Sequence, residues 1–144
     1  MKEGMTSKKN NQAKDFFSFK DDDFDLVELG QFIRDTTKYR VEREWHILFN
    51  SNSGNFMGYY KTIPENPKYN SRNPDLILIN KKTKGIELII ELDGDIHRIK
   101  ETDTDERNEQ YEKAGIPLLV INKWEMNTSI YDYVNKKLEE GGYI

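Results

Sequence analysis

The chain has 144 residues, which suits one compact domain with a modest core and leaves no room for a second. Hydrophobic residues at 35% and charged residues at 33% describe a soluble, globular chain with a polar surface. The formal net charge of -4 neither supports nor excludes a nucleic-acid partner, because it averages a basic start with an acidic knot at Asp21, Asp22, Asp23 and Asp25.

No apolar run approaches the roughly 18 residues that a membrane span needs. The N-terminus also lacks the apolar stretch of a signal peptide, so no membrane association and a cytoplasmic location are expected. The absence of cysteine excludes disulfides and thiolate zinc sites and suits the same compartment. Two histidines, His46 and His97, are too few for most histidine-rich metal sites.

Residues 1–20, with five lysines and two acids among Asn, Ser and Gln, are expected to form a flexible polar tail. Phe16, Phe17 and Phe19 within it are candidates for docking on the domain or on a partner. Residues 21–144 are expected to form a single domain. Leu26, Leu29, Phe32 and Ile33 recur at helical spacing and predict a helix from Phe24 to about Arg34. A second helix is expected from Thr37 to about Asn50, with Val41, Trp45, Leu48 and Phe49 inward. Alternation at Val41, Trp45, Ile47 and Phe49 also permits a strand there. After a turn at 51–55, Phe56 to Ile63 predicts a strand and Pro64 to Asn73 a polar loop.

Asp75 to Asn80 is apolar and β-branched, Lys81 to Gly85 is a hairpin turn, and Ile86 to Leu92 is the most apolar strand in the chain. Thr102 to Ala114 predicts a helix closed by Gly115, followed by a buried strand from Ile116 to Asn122. Thr128 or Ser129 is expected to cap a last helix with Ile130, Tyr131, Val134 and Leu138 inward. This order describes an α/β domain in which helices flank a mixed central sheet.

The hairpin places Asp75 beside the far end of its partner strand. Period-two alternation puts Glu91 and Asp93 on one face with the Leu92 carbonyl between them. An apolar strand ending in two same-face carboxylates either exposes them at the surface or gives them a cation. Oxygen ligands without cysteine favour magnesium, manganese or calcium over zinc. Magnesium takes one or two carboxylates and keeps several waters, so it fits best where a phosphate completes its shell.

Pro74-Asp75 opening one strand and Glu91-x-Asp93 ending the next resemble the core motif of the PD-(D/E)XK nuclease superfamily. Asp93 stands where that superfamily normally has lysine. The stretch ELIIELDGDIHRIKETDTDERNEQYEKAGIPLLVINKWE resembles the branch containing very-short-patch repair endonucleases and the Glu-Asp-x-His-Asp phage homing endonucleases. The likeness covers about Asp75 to Trp124, extends back to Thr37, and leaves residues 1–35 unmatched.

The resemblance implies a restriction-endonuclease-like core and a magnesium-dependent endodeoxyribonuclease, with Mn2+ as a possible substitute and double-stranded DNA as substrate. It places Asp75, the Leu92 carbonyl, Glu91 and the adjoining Asp93 at the metal, and His97 in proton transfer. Asp105, with Asp103 as the alternative, matches the acid that opens the following helix. Glu42, with Glu44 and Glu28 as alternatives, matches the leading glutamate. Lys81, Lys82, Lys84, Arg98, Lys100 and Arg107 are candidate phosphate contacts, although charged turns are usually only solvated. Repair and homing roles are not separated, and a phage-encoded enzyme would work in the host cytoplasm. The oligomeric state is left open, a dimer included. The competing expectation is a catalytically inactive nucleic-acid-binding or assembly module with the same fold.

Overall fold

The computed structural model describes residues 22–63, 65–93, 101–122, 126 and 128–144, and side chains from Leu26 and Thr104 onward in the first two helices. Its elements are α1 (Asp22–Thr36), β1 (Arg40–Glu42), β2 (His46–Asn50), β3 (Phe56–Tyr60), β4 (Tyr69–Arg72), β5 (Leu76–Ile79), β6 (Ile86–Asp93), α2 (Glu101–Lys113), β7 (Leu118–Asn122) and α3 (Ile130–Glu140). Among the described residues, no helix is long and apolar enough to cross a membrane.

The apolar hairpin organises the domain. All four residues of β5 are buried, as a strand covered on both faces requires. β5 pairs antiparallel with β6, Leu76 facing Ile90 and Leu78 facing Leu88. β1 adds antiparallel on the other side of β5, and β7 adds parallel to β6, giving a mixed sheet of order β1-β5-β6-β7. The parallel step needs a crossover, which α2 supplies. Gly115 ends that helix with φ +75°, and Ile116 N–H returns to the Tyr111 carbonyl at 3.0 Å.

Alternation along β5 and β6 divides the core into two layers. Leu76, Leu78, Leu88 and Ile90 pack with Val41, with Leu29 and Ile33 of α1, and with Val134 and Leu138 of α3. Ile77, Ile79 and Ile89 point the other way, onto Tyr111 of α2 and onto Ile47 and Phe49 of a second sheet. That sheet is antiparallel, of order β3-β2-β4. Truncating a fully buried isoleucine such as Ile77 or Ile89 to alanine costs about 2–5 kcal/mol. Ser129 caps α3 by accepting from the Asp132 N–H at 3.1 Å.

The helix expected from Thr37 to Asn50 is absent. The segment is β1, a turn in which Glu44 adopts φ 67°, and β2. Its apolar residues satisfy both periods, and hydrogen bonding to β5 on one side and to β3 and β4 on the other selects the strand. Within the expected loop 64–73, Tyr69–Arg72 forms β4, a polar strand recruited by the open edge of β2. The strand expected to reach Ile63 stops at Tyr60.

Candidate active site

Glu91 and Asp93 are the charged side chains classed as buried among the described residues, at 7% and 8% exposure. Both leave the end of β6 on the face that carries Ile89. Continuing the β5–β6 register sets Asp75 beside Glu91 on that face. The Leu92 backbone N–H donates to Asp75 Oδ2 at 2.6 Å. Asp75 and Glu91 lie close enough for each to act on the other's carboxyl. The turn at 81–85, together with a register shift between Leu78 and Ile79, therefore sets side by side two carboxyls that lie sixteen positions apart in the chain.

Helix α2 closes the group from above. Arg107 and Tyr111 stand four residues apart, so they share the helix face turned to the sheet. Tyr111 donates its hydroxyl to Glu91 Oε2 at 3.2 Å. Arg107 reaches Asp93 through two nitrogens, at 3.2 and 3.4 Å, and its Nε lies 4.0 Å from Glu91 Oε2. One turn further along, Gln110 accepts from Arg72 Nε at 2.7 Å and joins the second sheet to the same helix.

Burial and proximity determine the electrostatics. Burial first, and the Asp75 charge second, push the Glu91 carboxyl up to about 7, against opposing contributions from Arg107 and Tyr111. Burial likewise raises Asp75, although the Leu92 N–H opposes it. Burial works against the Arg107 charge, yet the Asp93 hydrogen bond and the Glu91 and Asp93 charges hold the guanidinium firmly protonated. Tyr111 is driven upward by burial and by the Glu91 charge, so it remains a donor.

Of the residues singled out from sequence, the fold brings together Asp75, Glu91, Leu92, Asp93 and Arg107. Arg107 is engaged with Asp93 and has 15% of its side chain exposed. Glu42 faces Ile77, so it stands on the same face of the sheet as Asp75, one diagonal away. It arrives from strand β1 rather than from a helix, and its Oε2 pairs with Arg40 Nε at 2.8 Å. Glu44 is exposed beside Arg43. Glu28 belongs to α1, across the sheet, and accepts from the Tyr131 hydroxyl.

Asp105 is exposed, two residues from Arg107 and so about 200° around the helix from it. Lys81, Lys82 and Lys84 occupy the exposed turn at the opposite end of the hairpin. Four strand residues alone separate that end from Asp75 by about 13 Å. His97, Arg98 and Lys100 lie outside the described residues, as does the Asp103 side chain. Tyr111 is a site residue that the sequence reading did not single out. Its spacing of four from Arg107 was the available signal.

Among the described residues, no set of three or more Asp, Glu, His or Cys side chains is arranged to hold a metal ion. Asp75 and Glu91 meet a smaller demand, since magnesium needs only one or two protein carboxylates. They are hard oxygen donors whose mutual repulsion a dication would relieve. A surface hollow of about 410 Å3 bordered by Leu48, Tyr69 and Ser71 lies on the outer face of the second sheet and contains none of these groups. Among the described residues, Glu91 and Asp93 are the buried carboxylates, and Asp75 stands beside them, so the candidate site is placed there.

Comparison of the chain with protein-family models, with curated proteins and with solved structures finds no match.

Proposed function

We propose that the chain is a magnesium-dependent DNA endonuclease with a restriction-endonuclease-like core, hydrolysing phosphodiester bonds in double-stranded DNA. The observation that carries this reading is the placement of Asp75 beside buried Glu91 at the adjacent ends of β5 and β6, where burial and the Asp75 charge raise Glu91 to about 7. Within the mixed sheet, with β2–β4 inserted between β1 and β5, the order helix, three antiparallel strands, helix, parallel strand supports this reading.

Asp75, Glu91 and the Leu92 carbonyl would hold Mg2+, with Mn2+ as a substitute. The bound cation would supply Lewis acidity toward a phosphate oxygen and lower the pKa of a coordinated water. The chain prepares the acidic pair for that role. The Leu92 N–H fixes Asp75, and the Tyr111 hydroxyl fixes one oxygen of Glu91. Burial makes the pair costly to ionise without a counter-cation, which couples metal uptake to proton release. The resemblance assigns proton transfer to His97.

The test is incubation of the purified chain with supercoiled plasmid, mismatched duplex and single-stranded DNA, in magnesium and in chelator. Nicking or linearisation that requires metal and disappears in Asp75→Asn is expected. No cleavage with either magnesium or manganese, or undiminished cleavage in Asp75→Asn, overturns the assignment. The Asp93–Arg107 pair, which occupies one acid of the cluster, favours a second reading as an inactive nucleic-acid-binding module. DNA binding without hydrolysis or metal uptake would select it.

A further inference from the structure

The one cation that the described structure sets among the buried carboxylates is Arg107. Two of its nitrogens approach the two oxygens of Asp93, at 3.2 and 3.4 Å, while Nε donates to Asn108 Oδ1 at 3.1 Å and so holds the guanidinium plane. Asp93 and Arg107 retain only 9% and 15% side-chain exposure. A guanidinium does not lose its proton in a protein, so this charge is permanent. A forked contact of this kind is also stronger and more directional than a single ion pair.

On the metal-site reading above, on which this inference rests, we propose that Arg107 is a positioning residue that withholds Asp93 from the cation and leaves Asp75 and Glu91 as the acidic ligands. A metal ion bound to Asp93 would have to displace the guanidinium from both carboxylate oxygens, whereas Glu91 meets Arg107 only at 4.0 Å, from Nε to Oε2, and makes no hydrogen bond to it. The charge balance agrees with the geometry. Were Asp75 and Glu91 to ionise on taking up the cation, three carboxylates and one guanidinium would leave two negative charges, the amount that one divalent cation neutralises.

The consequence is a site that binds a small cation weakly by itself and relies on further oxygens from water and substrate. Removing Arg107 would release a third carboxylate. That would raise affinity in the absence of DNA and favour calcium, which accepts more oxygen ligands than magnesium does.

The experiment is calorimetric titration of the full chain with Mn2+, Mg2+ and Ca2+ without nucleic acid, for the wild type, Asp75→Asn, Arg107→Met and the double variant Arg107→Met/Asp93→Asn. Arg107→Met is expected to bind Mn2+ at least about tenfold more tightly than the wild type, with a larger gain for Ca2+ than for Mg2+. The double variant is expected to return to within about threefold of the wild type, because the two changes cancel in charge and remove no ligand. It leaves no unpaired charge at position 93, the carboxylate to which Arg107 is hydrogen-bonded, so it remains informative if Arg107→Met fails to fold.

A loss of about tenfold or more in the double variant would make Asp93 a ligand and overturn the proposal. A folded Arg107→Met that binds no more tightly than the wild type would overturn it as well. Either outcome leaves the metal-site reading standing if Asp75→Asn abolishes binding. Absence of binding in both the wild type and a folded Arg107→Met, or binding unchanged in Asp75→Asn, refutes that reading and this proposal together.

Discussion

The Leu92 backbone N–H donates a 2.6 Å hydrogen bond to Asp75 Oδ2, locking the residue that opens β5 against the end of β6. This bond separates the structural role of Asp75 from its proposed chemical one. Asp75→Asn keeps an acceptor for the N–H, whereas Asp75→Ala leaves a part-buried donor unsatisfied at a cost of about 1–3 kcal/mol. Urea unfolding is expected to rank alanine as the less stable variant, while both abolish metal-dependent cleavage.

Glu91 makes the metal-free protein sensitive to pH. Its folded pKa is raised to about 7 from the ordinary 4.5, so between those values the folded state holds a proton that the unfolded state has lost. This contribution is fully present below the unfolded value and is lost as pH rises through the folded one. It falls by up to about 1.4 kcal/mol per pH unit across the window. In chelator, the stability difference between wild type and Glu91→Gln should therefore shift in favour of the glutamine variant from pH 4.5 to 7 and level off above. Denaturant melts across that range check it, and a difference independent of pH contradicts it.

Tyr111 steadies the ionised form of Glu91 through its hydroxyl, 3.2 Å from Oε2. Tyr111→Phe keeps the ring that packs against Phe49 and removes only that donor. The Glu91 titration should move to still higher pH, read from carboxyl carbon shifts by NMR. At pH 8 the variant should lose about 1 kcal/mol, the contribution of one hydrogen bond.

The turn lysines and His97 are expected to separate binding from chemistry. Lys81, Lys82 and Lys84 lie at the end of the hairpin remote from Asp75. Reversing all three charges should weaken DNA binding and reduce its salt dependence, by about 0.9 in slope for each phosphate that is no longer neutralised, without changing Mn2+ uptake. His97→Ala should do the opposite, abolishing cleavage while DNA binding and Mn2+ uptake persist. Full cleavage by His97→Ala would remove that residue from the mechanism.

Much of the sheet was legible because local pattern and global fold agree there. The apolar, β-branched runs around Leu76–Ile79 and Ile86–Ile90, joined by a Lys- and Gly-bearing turn, specify a buried hairpin without help from the rest of the chain. Alternation put Glu91 and Asp93 on one face and the turn returned Asp75 to their end of the sheet, so the centre of the proposed site could be read in one dimension, whereas the register shift after Leu78 that sets Asp75 opposite Glu91 could not. Gly115 marked one helix end for equally local reasons, and of Thr128 and Ser129 the structure selects Ser129 as the cap of α3.

Other features depended on partners distant in sequence. Val41, Leu48 and Phe49 fit a helix face as well as strands, and only the hydrogen-bonding edges offered by β5, β3 and β4 decided between them. Tyr69–Arg72 has no apolar pattern and is a strand because β2 lies beside it. The identities of Asp93 and Arg107 announced two charges but not their pairing. The sequence by itself determined that carboxyls would gather at the end of β6, since alternation and turn length are local constraints. Tertiary structure decided that α2 would lower a guanidinium onto Asp93 and a tyrosine onto Glu91, because packing of the crossover helix on the sheet sets which charges meet.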